Sequence, residues 1–580
     1  MNTKSKVRKR DAVTREQTRQ EKCGYFEFIN SNSREIRKYQ VLILFISAIT
    51  GILIIKLTLS LSSFLTALFE RASIGTFVAK LLPLIAVFSA FAITSIIASY
   101  LSQIITYKTR SELMEKAYYS ISSSSVSRVK EFTIGDIITR VTNDIIQISD
   151  VVATFVPNTT SNAILFGFYF VSFYSISHLL SYVFLMVAPL YYLIFVIERK
   201  RLPPLIKKER EALSDVTLTV NEFTSNIEGI KGLSAEIPSR KEYGRYTSKF
   251  YGTSKKMINS LIKYTGASSY LRATIPFFLL AIAFYFYTVN LVAIGPVITF
   301  FFLSSQAYSP LSSISGYLSS YATGIARYQR VGEVMNMEPE RSGGSTMNTL
   351  VDCEFAGVSV EKAERRILEI DELIILRGEH IAITGENGSG KSTFTKLFDR
   401  LVEYEGRVEM NKNRIEEYSL ASLRKNVVRI GETPFIFKDS VKNNITLYDT
   451  IPGEEVQGAM TFCGIDFVKM DDLIEYDTLS EGQRQRISLA RAIVRKPDFL
   501  IMDEALSGID DRSEDLIVGN IMNELPHSTI LLVSHRYSTL MRMERFIIFK
   551  NGRISCDIND RRKIAECSEW NSLMKFQITK

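Results

Sequence analysis

A glycine-rich segment supplies the first residues that could do chemistry. Residues 385–392 carry glycine, lysine and serine at the spacing GxxxxGK[ST], between the apolar run 380–384 and a helix-forming stretch. In this strand–loop–helix context, backbone N–H groups wrap phosphate oxygens and the helix N-terminus adds partial positive charge. Lys391 would neutralise the β- and γ-phosphates, and Ser392 would ligate Mg²⁺. The predicted nucleotide-binding residues are Gly385, Glu386, Asn387, Gly388, Ser389, Gly390, Lys391, Ser392 and Thr393.

Two adjacent acids follow a second apolar run, 499–502. Asp503, at the end of a buried strand beside a phosphate-binding loop, suits Mg²⁺ held through water. Glu504 is then placed to polarise the attacking water. Taken alone, this pattern is also that of an ordinary strand end, so its weight depends on the motifs around it.

A third motif lies between these two and carries a family resemblance. Leu479, Ser480, Glu481, Gly482 and Gln483 resemble the signature of ATP-binding cassette (ABC) proteins, whose usual form is LSGGQ. The resemblance implies that Ser480 caps a helix whose N-terminus faces the γ-phosphate of ATP on the opposite subunit. It therefore implies a dimer with two ATP molecules between its cassettes.

Further matches follow in the family's order. Residues Ser507 to Asp510 resemble the D-loop. His535, after the apolar run 529–534, resembles the switch histidine that contacts the γ-phosphate. A lone histidine would be interpreted as structural, but in this order and spacing the resemblance implies a functional role.

The sequence departs from the family pattern at two places that bear on the nucleotide. Glu432 stands where the family has the Q-loop glutamine; a carboxylate can still bind Mg²⁺, but it adds negative charge near the γ-phosphate. No aromatic residue occupies the adenine-stacking position in 358–362, so either a neighbouring lysine or arginine lies over the ring or the stretch is a charged, solvated hairpin. The predicted catalytic residues are Glu504, His535 and Glu432, and the predicted Mg²⁺ ligands are Ser392, Asp503 and Glu432.

Apolar runs about 20 residues long, enough to span a bilayer core of roughly 30 Å as helices, fill the chain before residue 315. Eight lysines and arginines lie between Lys4 and Lys22, and more lie in two long gaps between the runs. This is the positive-inside pattern of a membrane protein whose gaps face the cytosol. The predicted spans are 39–62, 81–103, 155–176, 178–197, 270–289 and 291–312.

The two long gaps, after the second and fourth spans, predict helices that continue beyond the membrane. Each gap contains a turn with glycine, at 131–136 and at 228–232. Residues 132–144 resemble the first intracellular loop of ABC exporters, and residues 222–236 resemble the second. The whole arrangement is similar to an exporter half-transporter, often called type IV.

The predicted fold class is a multi-domain membrane protein, with an all-α six-helix transmembrane domain and an α/β P-loop ATP-binding cassette. The predicted domains are a basic N-terminal segment with an interfacial helix at 1–38, the transmembrane domain at 39–340, a flexible linker at 341–349 and the cassette at 350–580. The net charge of +8 arises from basic residues placed as the positive-inside pattern of a membrane protein requires, so we predict no nucleic-acid partner. Five cysteines without a CxxC pair are interpreted as free cytosolic thiols.

The resemblance implies an ATP hydrolase coupled to export across the bacterial inner (plasma) membrane, among membrane lipids, with the N-terminus and cassette cytoplasmic. Because the catalytic glutamate and the signature are both present despite these departures, we favour a homodimer, and a heterodimer with a second half-transporter stays open. A peptide of the antimicrobial type is the preferred cargo; multidrug or lipid export, a lipid-linked sugar flippase, and a regulatory ATP-binding membrane protein without transport are the alternatives. Polar groups are costly in a span, and the candidate substrate-cavity residues are Lys56, Arg272 and Gln306.

Overall fold

The computed structural model describes residues 37–69, 73–362 and 365–574. These residues form two compact units. The helical unit runs to Ser122 and continues over Thr133–Met337, and the cassette unit comprises Ser123–Phe132 and the chain from Glu338. The short segment Ser123–Phe132 therefore belongs with the cassette, although long helices precede and follow it in the sequence.

Long helices make up the helical unit, and the predicted apolar spans lie on them. Up to residue 335 the helices are α1 (Arg37–Phe69), α2 (Ile74–Ser123), α3 (Val126–Val129), α4 (Ile134–Thr139), α5 (Ile145–Ile176), α6 (His178–Ser225), α7 (Ile227–Gly232), α8 (Glu236–Thr288), α9 (Ile294–Ala307) and α10 (Ser309–Met335). Within the described residues, α1 and α2 are long and apolar enough to cross a membrane, and shorter apolar stretches occupy His178–Leu190 and Ala273–Thr288.

The helices that border the two long gaps continue well beyond the apolar spans, as predicted. Helix α2 has 50 residues and α8 has 53, so at 1.5 Å per residue each extends for roughly 75–80 Å. The first glycine turn contains Thr133, whose hydroxyl caps α4 by accepting the N–H of Asp136 at 3.2 Å. The second forms the short helix α7.

A network of ion pairs explains the charged residues in 132–144. A π-helical turn at Arg140–Asp144 follows α4. Arg140 bonds to Asp136 at 2.8 Å and also pairs with Glu333 of α10. Arg330 of α10 pairs with Asp136 at 3.0 Å and with Asp144 at 3.4 Å. Because Arg140 and Asp144 are buried, removing one partner would leave a desolvated charge.

A ten-stranded mixed sheet forms the cassette unit. The strands are β1 (Asp352–Lys362), β2 (Arg365–Leu376), β3 (His380–Gly385), β4 (Glu405–Met410), β5 (Asn413–Arg414), β6 (Val427–Ile430), β9 (Phe499–Asp503), β10 (Thr529–Val533), β11 (Arg545–Lys550) and β12 (Arg553–Ile558), and β7 (Asp439–Ser440) pairs separately with β8 (Leu473–Ile474). The order across the large sheet is β5-β4-β1-β2-β12-β11-β3-β10-β9-β6. The strands predicted at 380–384, 499–502 and 529–534 are β3, β9 and β10.

Helices and aromatic side chains cover the sheet. The cassette helices are α11 (Lys391–Thr395), α12 (Leu420–Asn426), α13 (Val441–Thr446), α14 (Gly453–Phe462), α15 (Glu481–Arg495), α16 (Asp511–Glu524), α17 (Tyr537–Leu540) and α18 (Ser568–Met574). One core contains Phe355, Phe394 and Phe398, whose ring centroids lie 5.1–5.4 Å apart. A second core contains Trp570, the chain's one tryptophan.

The segment predicted as a flexible linker is hydrogen-bonded to the cassette. Gly343 N–H donates to the carbonyl of Tyr418 at 3.1 Å, and Ser345 N–H donates to that of Glu417 at 3.0 Å. Ser345 also forms an isolated parallel bridge with Tyr418. Sequence composition indicated flexibility because glycine and serine are common in linkers, but here glycine permits close contact with a neighbouring backbone.

This contact makes two adjacent glycines unequal. A Cβ atom at Gly343 would lie 2.0 Å from the carbonyl oxygen of Glu417, whereas a Cβ at Gly344 would meet nothing within 4 Å. We expect Gly343→Ala to destabilise the cassette by about 1–3 kcal/mol through overpacking. The fluorescence of Trp570 during heating should show a lower midpoint, together with faster proteolysis within 341–349. Gly344→Ala is the matched control, and equal behaviour of the two variants would contradict the docked segment.

Candidate functional site

Four parallel strands bring the nucleotide motifs to one edge of the sheet. In the order β3-β10-β9-β6, Ile383 lies opposite Val533, Val533 opposite Asp503, and Ile430 opposite Met502. The carboxyl ends of neighbouring parallel strands lie at the same edge, where α/β sheets bind their ligands. The carboxyl ends of these four strands, with the loops that follow them, carry the phosphate-binding loop, the switch histidine, the paired acids and Glu432, respectively.

The phosphate-binding loop needs its glycines for conformation and for space. Gly385, Gly388 and Gly390 have φ angles of +151°, +79° and +102°. A Cβ at Gly385 would also lie 2.2 Å from the carbonyl oxygen of Phe549. Lys391 is buried, and its ammonium group donates to the carbonyls of Gly385 and Glu386 at 2.8 and 3.0 Å. Burial lowers the pKa of Lys391, and the carboxylates of Glu504 and Asp503 oppose that shift.

The groups at the end of β9 fit a hard divalent cation. The Ser392 hydroxyl bonds to one oxygen of Asp503 at 3.2 Å, and the buried Thr395 hydroxyl donates to the other at 2.8 Å. Hydroxyl and carboxylate oxygens are the ligands that Mg²⁺ prefers. The buried hydroxyl of Ser389 has no hydrogen-bond partner among the described residues, which fits a loop built to contact a ligand. Thr395 was missed in the sequence; its position three residues after Ser392 on one helix was the available signal.

Glu504 and His535 face each other beyond the strand ends. His535 Nε2 lies 3.4 Å from a carboxylate oxygen of Glu504, and both side chains are partly exposed. The φ angle of Glu504 is +54°, a left-handed conformation that costs a residue with a Cβ about 1–2 kcal/mol. Its N–H donates to the carbonyl of Val533 at 3.1 Å, which holds this conformation.

The signature segment begins a helix as predicted. Ser480 is the N-cap of α15: its hydroxyl accepts the N–H of Gln483 at 3.3 Å, and the Gln483 side chain accepts the N–H of Ser480 at 2.9 Å. This reciprocal capping box satisfies two donors at the helix start. A Cβ at Gly482 would lie 2.6 Å from the carbonyl oxygen of Gly508, so the signature packs against the D-loop.

A buried glutamine not predicted from the sequence joins these two motifs. The Gln485 side chain accepts the N–H of Gly508 at 2.9 Å and donates to the Ser507 hydroxyl at 3.1 Å. Asp510 caps α16 by accepting the N–H of Ser513 at 3.0 Å. The position of Gln485 four residues before the apolar Leu489, on the same face of α15, was the only local signal, since the contact joins distant segments.

Glu432 lies beside the proposed metal ligands. A cleft of about 440 Å³ is lined by Glu432 together with Ser392, Asp503 and Glu504, as the resemblance implied. Lys396, Arg429 and Ser488 line the same cleft and were not predicted. The cleft therefore brings the three carboxylates named from the sequence into one space.

Residues 358–362, where the family has an adenine-stacking aromatic residue, belong to the β1–β2 hairpin. Lys362 and Arg365 are exposed near its end. Arg366 pairs with Glu361 at 3.7 Å and with Glu369 at 3.3 Å. These contacts accord with a charged, solvated hairpin.

The helical unit contains a polar cleft of about 590 Å³ between α1, α2, α5 and α10. Its charged groups, Arg110 and Asp150, pair with each other at 3.3 Å. Asn158 donates to the hydroxyl of Tyr317 at 3.2 Å. The other hydroxyl and amide side chains along it are those of Ser47, Ser99, Ser102, Gln103, Thr106, Tyr107, Thr154, Ser161 and Asn162. The cleft thus presents many neutral hydrogen-bonding groups and little free charge.

Of the three predicted substrate-cavity residues, the structure describes the side chains of two. Lys56 and Gln306 are exposed and do not line this cleft. The side chain of Arg272 lies outside the described residues. The sequence prediction selected two charged residues and one amide in the spans, and it stays a prediction. The lining of this cleft consists mainly of hydroxyl and amide side chains on four helices.

Comparison with known proteins identifies both parts of the chain. The family profile of the ABC transporter transmembrane region matches residues 41–311, and that of the ABC transporter matches 368–507. Together they cover more than two thirds of the chain.

Relatives and a solved structure extend the match. An export ATP-binding/permease protein of Rickettsia bellii is 26% identical over 495 residues, covering 80% of this chain and 84% of the relative. An ATP-dependent lipid A-core flippase of Shigella sonnei is 26% identical over 479 residues, covering 80% and 82%. A bacterial Atm1-family ABC exporter with ATP bound has the same fold, with a TM-score of 0.78 at 18% identity over 95% of this chain and 99% of that one. The chain therefore belongs to the ABC transporter family and is a type IV half-transporter, an ATP-driven exporter subunit with a transmembrane domain fused to an ATP-hydrolysing cassette.

Proposed function

We propose that this chain exports a peptide across a bacterial inner membrane, as a homodimer with its cassettes and N-termini in the cytoplasm. The observation that carries the choice of cargo is the neutral, amide- and hydroxyl-lined cleft of the helical unit. The proposed domains are the N-terminal segment 1–38, the transmembrane domain 39–340 and the cassette 350–580, with 341–349 docked on the cassette. The bacterial sources of the relatives support this membrane.

The loop 385–393 would hold the ATP phosphates, with Lys391 turning from its carbonyl partners to them. Ser392 and Asp503 would hold Mg²⁺, with Glu432 beside them. The metal would neutralise phosphate charge as the γ-phosphoryl group leaves. Support for this assignment comes from the 3.2 Å contact between Ser392 and Asp503 and from the cleft that both share with Glu432.

Glu504 would accept a proton from the attacking water and His535 would orient the γ-phosphate. The left-handed backbone of Glu504 supports this role, because strain of this kind persists where the surroundings enforce it and clusters at active sites. The 3.4 Å contact with His535 places two hydrogen-bonding groups within reach of the same small volume.

The position of the signature at the start of its helix supports dimer formation. Leu479–Gln483 would meet ATP on the opposite subunit, where the capped N-terminus of α15 would stabilise negative charge. This chain carries the phosphate-binding loop, the paired acids, the signature, the D-loop and the switch histidine, so two copies suffice for two sites. A second half-transporter as partner is the alternative.

A peptide suits the polar cleft because its backbone presents donors and acceptors in pairs. The Arg110–Asp150 pair leaves little net charge to attract an ionic cargo. The Gln103 amide and the Ser99 hydroxyl are exposed along the cleft, where a peptide group could pair with them. A neutral or mildly charged peptide segment therefore matches the cleft better than a purely apolar drug does.

Lipid export is the second candidate, favoured by the relatives named lipid A-core flippase. A lipid could place a polar headgroup in the same cleft while its chains stay in the bilayer. The two cargoes differ in a measurable way, because lipid stimulation would depend on acyl-chain length and peptide stimulation would not.

The role of Glu504 as the general base can be tested by removing its carboxylate. Glu504→Gln should lower ATP turnover by about 10²- to 10⁴-fold, the usual contribution of a general base, while ATP binding persists. Hydrolysis and nucleotide affinity are measured on the purified chain in lipid discs. Glu524→Gln, at the exposed end of α16, is the matched control; unchanged turnover in Glu504→Gln would remove Glu504 from the catalytic role.

The effect of the Glu432 carboxylate on turnover can be tested by restoring the family's glutamine. Glu432→Gln should keep or raise turnover by up to about fivefold, since it removes a repulsion on the order of 1 kcal/mol near the γ-phosphate. It should also raise the Mg²⁺ concentration needed for half-maximal activity. Glu454→Gln, exposed on α14, is the control. A complete loss of turnover would mean that the carboxylate is required.

The peptide cargo can be tested by its effect on ATP turnover. Peptides should stimulate turnover by about twofold or more, the size expected for modest coupling between cargo and ATP sites. Gln103→Leu should raise the peptide concentration needed for half-stimulation. Gln306→Leu removes the same amide outside the cleft and should not. Stimulation by lipids alone, or an effect confined to Gln306→Leu, would overturn the peptide assignment.

A further inference from the structure

Two thiols and a carboxylate form a cluster that the ATP site does not use. The sulfur atoms of Cys556 and Cys567 lie 2.8 Å apart. A carboxylate oxygen of Glu569 lies 3.7 Å from each sulfur. Cys567 is buried and Cys556 is partly exposed. The remaining described cysteines, Cys353 and Cys463, are fully buried.

The cluster joins the sheet to the last described helix. Cys556 lies on β12, and Cys567 immediately precedes α18. The same helix carries Trp570, whose ring packs against Phe546 at 5.3 Å and Tyr537 at 6.0 Å between centroids. A bond between the two sulfurs would thus fasten the start of α18 to β12, an interior strand of the sheet.

We propose that Cys556 and Cys567 are a covalent modification site that takes up a disulfide cross-link by exchange with a low-molecular-weight disulfide. The exposed Cys556 thiolate attacks one sulfur of the small disulfide, forms a mixed disulfide and releases one small thiol. The Cys567 thiolate then attacks the Cys556 sulfur and releases the second small thiol. The protein loses two protons and two electrons, and the small disulfide gains them.

The geometry favours a disulfide over a metal. Two thiolates on one tetrahedral zinc ion, each at about 2.3 Å from it, would be roughly 3.8 Å apart. The observed 2.8 Å is closer to bonding distance and requires no separation of the sulfurs. Burial, the Cys567 contact and the Glu569 charge raise the pKa of Cys556 to about 12. The thiolate fraction of Cys556 is therefore small, and exchange would be slow. A reducing cytosol would keep the pair reduced.

The test uses the full-length Cys23→Ser chain in lipid discs, treated with oxidised glutathione and analysed by peptide mass. We expect a 556–567 cross-linked peptide that dithiothreitol reverses, while Cys353 and Cys463 stay reduced. Cys567→Ser should stop at a mixed disulfide of Cys556 with glutathione, and Cys556→Ser should leave Cys567 reduced.

Glu569→Gln sharpens the test because it removes the charge facing both sulfurs. Exchange should become about two- to tenfold faster as the thiolate fraction rises. Glu566→Gln removes an exposed acid that makes no hydrogen bond to either thiol in the described structure, and should leave the rate unchanged. Separate glutathione adducts on both cysteines, or one tightly held zinc ion per chain that is lost in Glu569→Gln, would overturn the proposal.

Discussion

Parallel pairing of β3, β10, β9 and β6 is the constraint on which the cassette depends. Motifs separated by more than a hundred residues meet because each follows a strand that ends at the same edge. Register matters as much as order, since a slip of one residue would turn every side chain to the opposite face. Asp503 lies opposite Val533, which places Glu504 beside the His535 loop. The positions of Glu504 and His535 are therefore set by sheet hydrogen bonds as well as by the loops.

Helix α15 links three parts of the cassette: the signature, the D-loop and the segment that follows Glu432. Its first turn carries the signature, and Gln485 bonds to the D-loop through Ser507 and Gly508. Near its other end, buried Arg491 donates to the carbonyl of Asn444 at 2.6 Å and lies 4.1 Å from the Phe435 ring centroid, in the segment that follows Glu432. A helix tied at both ends transmits displacement with little loss, because packed interiors deform poorly. Movement at one nucleotide contact would thus reach the other contacts of the same cassette together.

Local sequence patterns predicted what depends on local chemistry. The strand before the phosphate-binding loop, the capped signature helix and the long helices of the membrane half all arise from propensity, capping and apolar runs. Contacts between distant segments were not predictable in this way. Arg330 as a partner of Asp136, Gln485 as a brace of the D-loop, and the approach of Cys556 to Cys567 without a CxxC spacing all depend on the folded chain. Gly343 shows the same limit, because composition cannot distinguish a flexible glycine from a tightly packed one.

The charge balance of the Glu432 cleft follows from this placement. Three carboxylates, those of Glu432, Asp503 and Glu504, share the cleft with two cationic side chains, Lys396 and Arg429. Arg429 is also committed to Asp399 at 2.8 Å, and burial together with the charge of Arg429 lowers the pKa of Lys396. The Arg429 guanidinium is therefore shared with a carboxylate that does not line the cleft. A glutamine at position 432 would leave two acids against two cations, whereas glutamate gives an acidic excess. Such an excess favours binding of a divalent cation and repels the γ-phosphate. Glu432 would therefore tighten metal binding and raise the energy of the transition state.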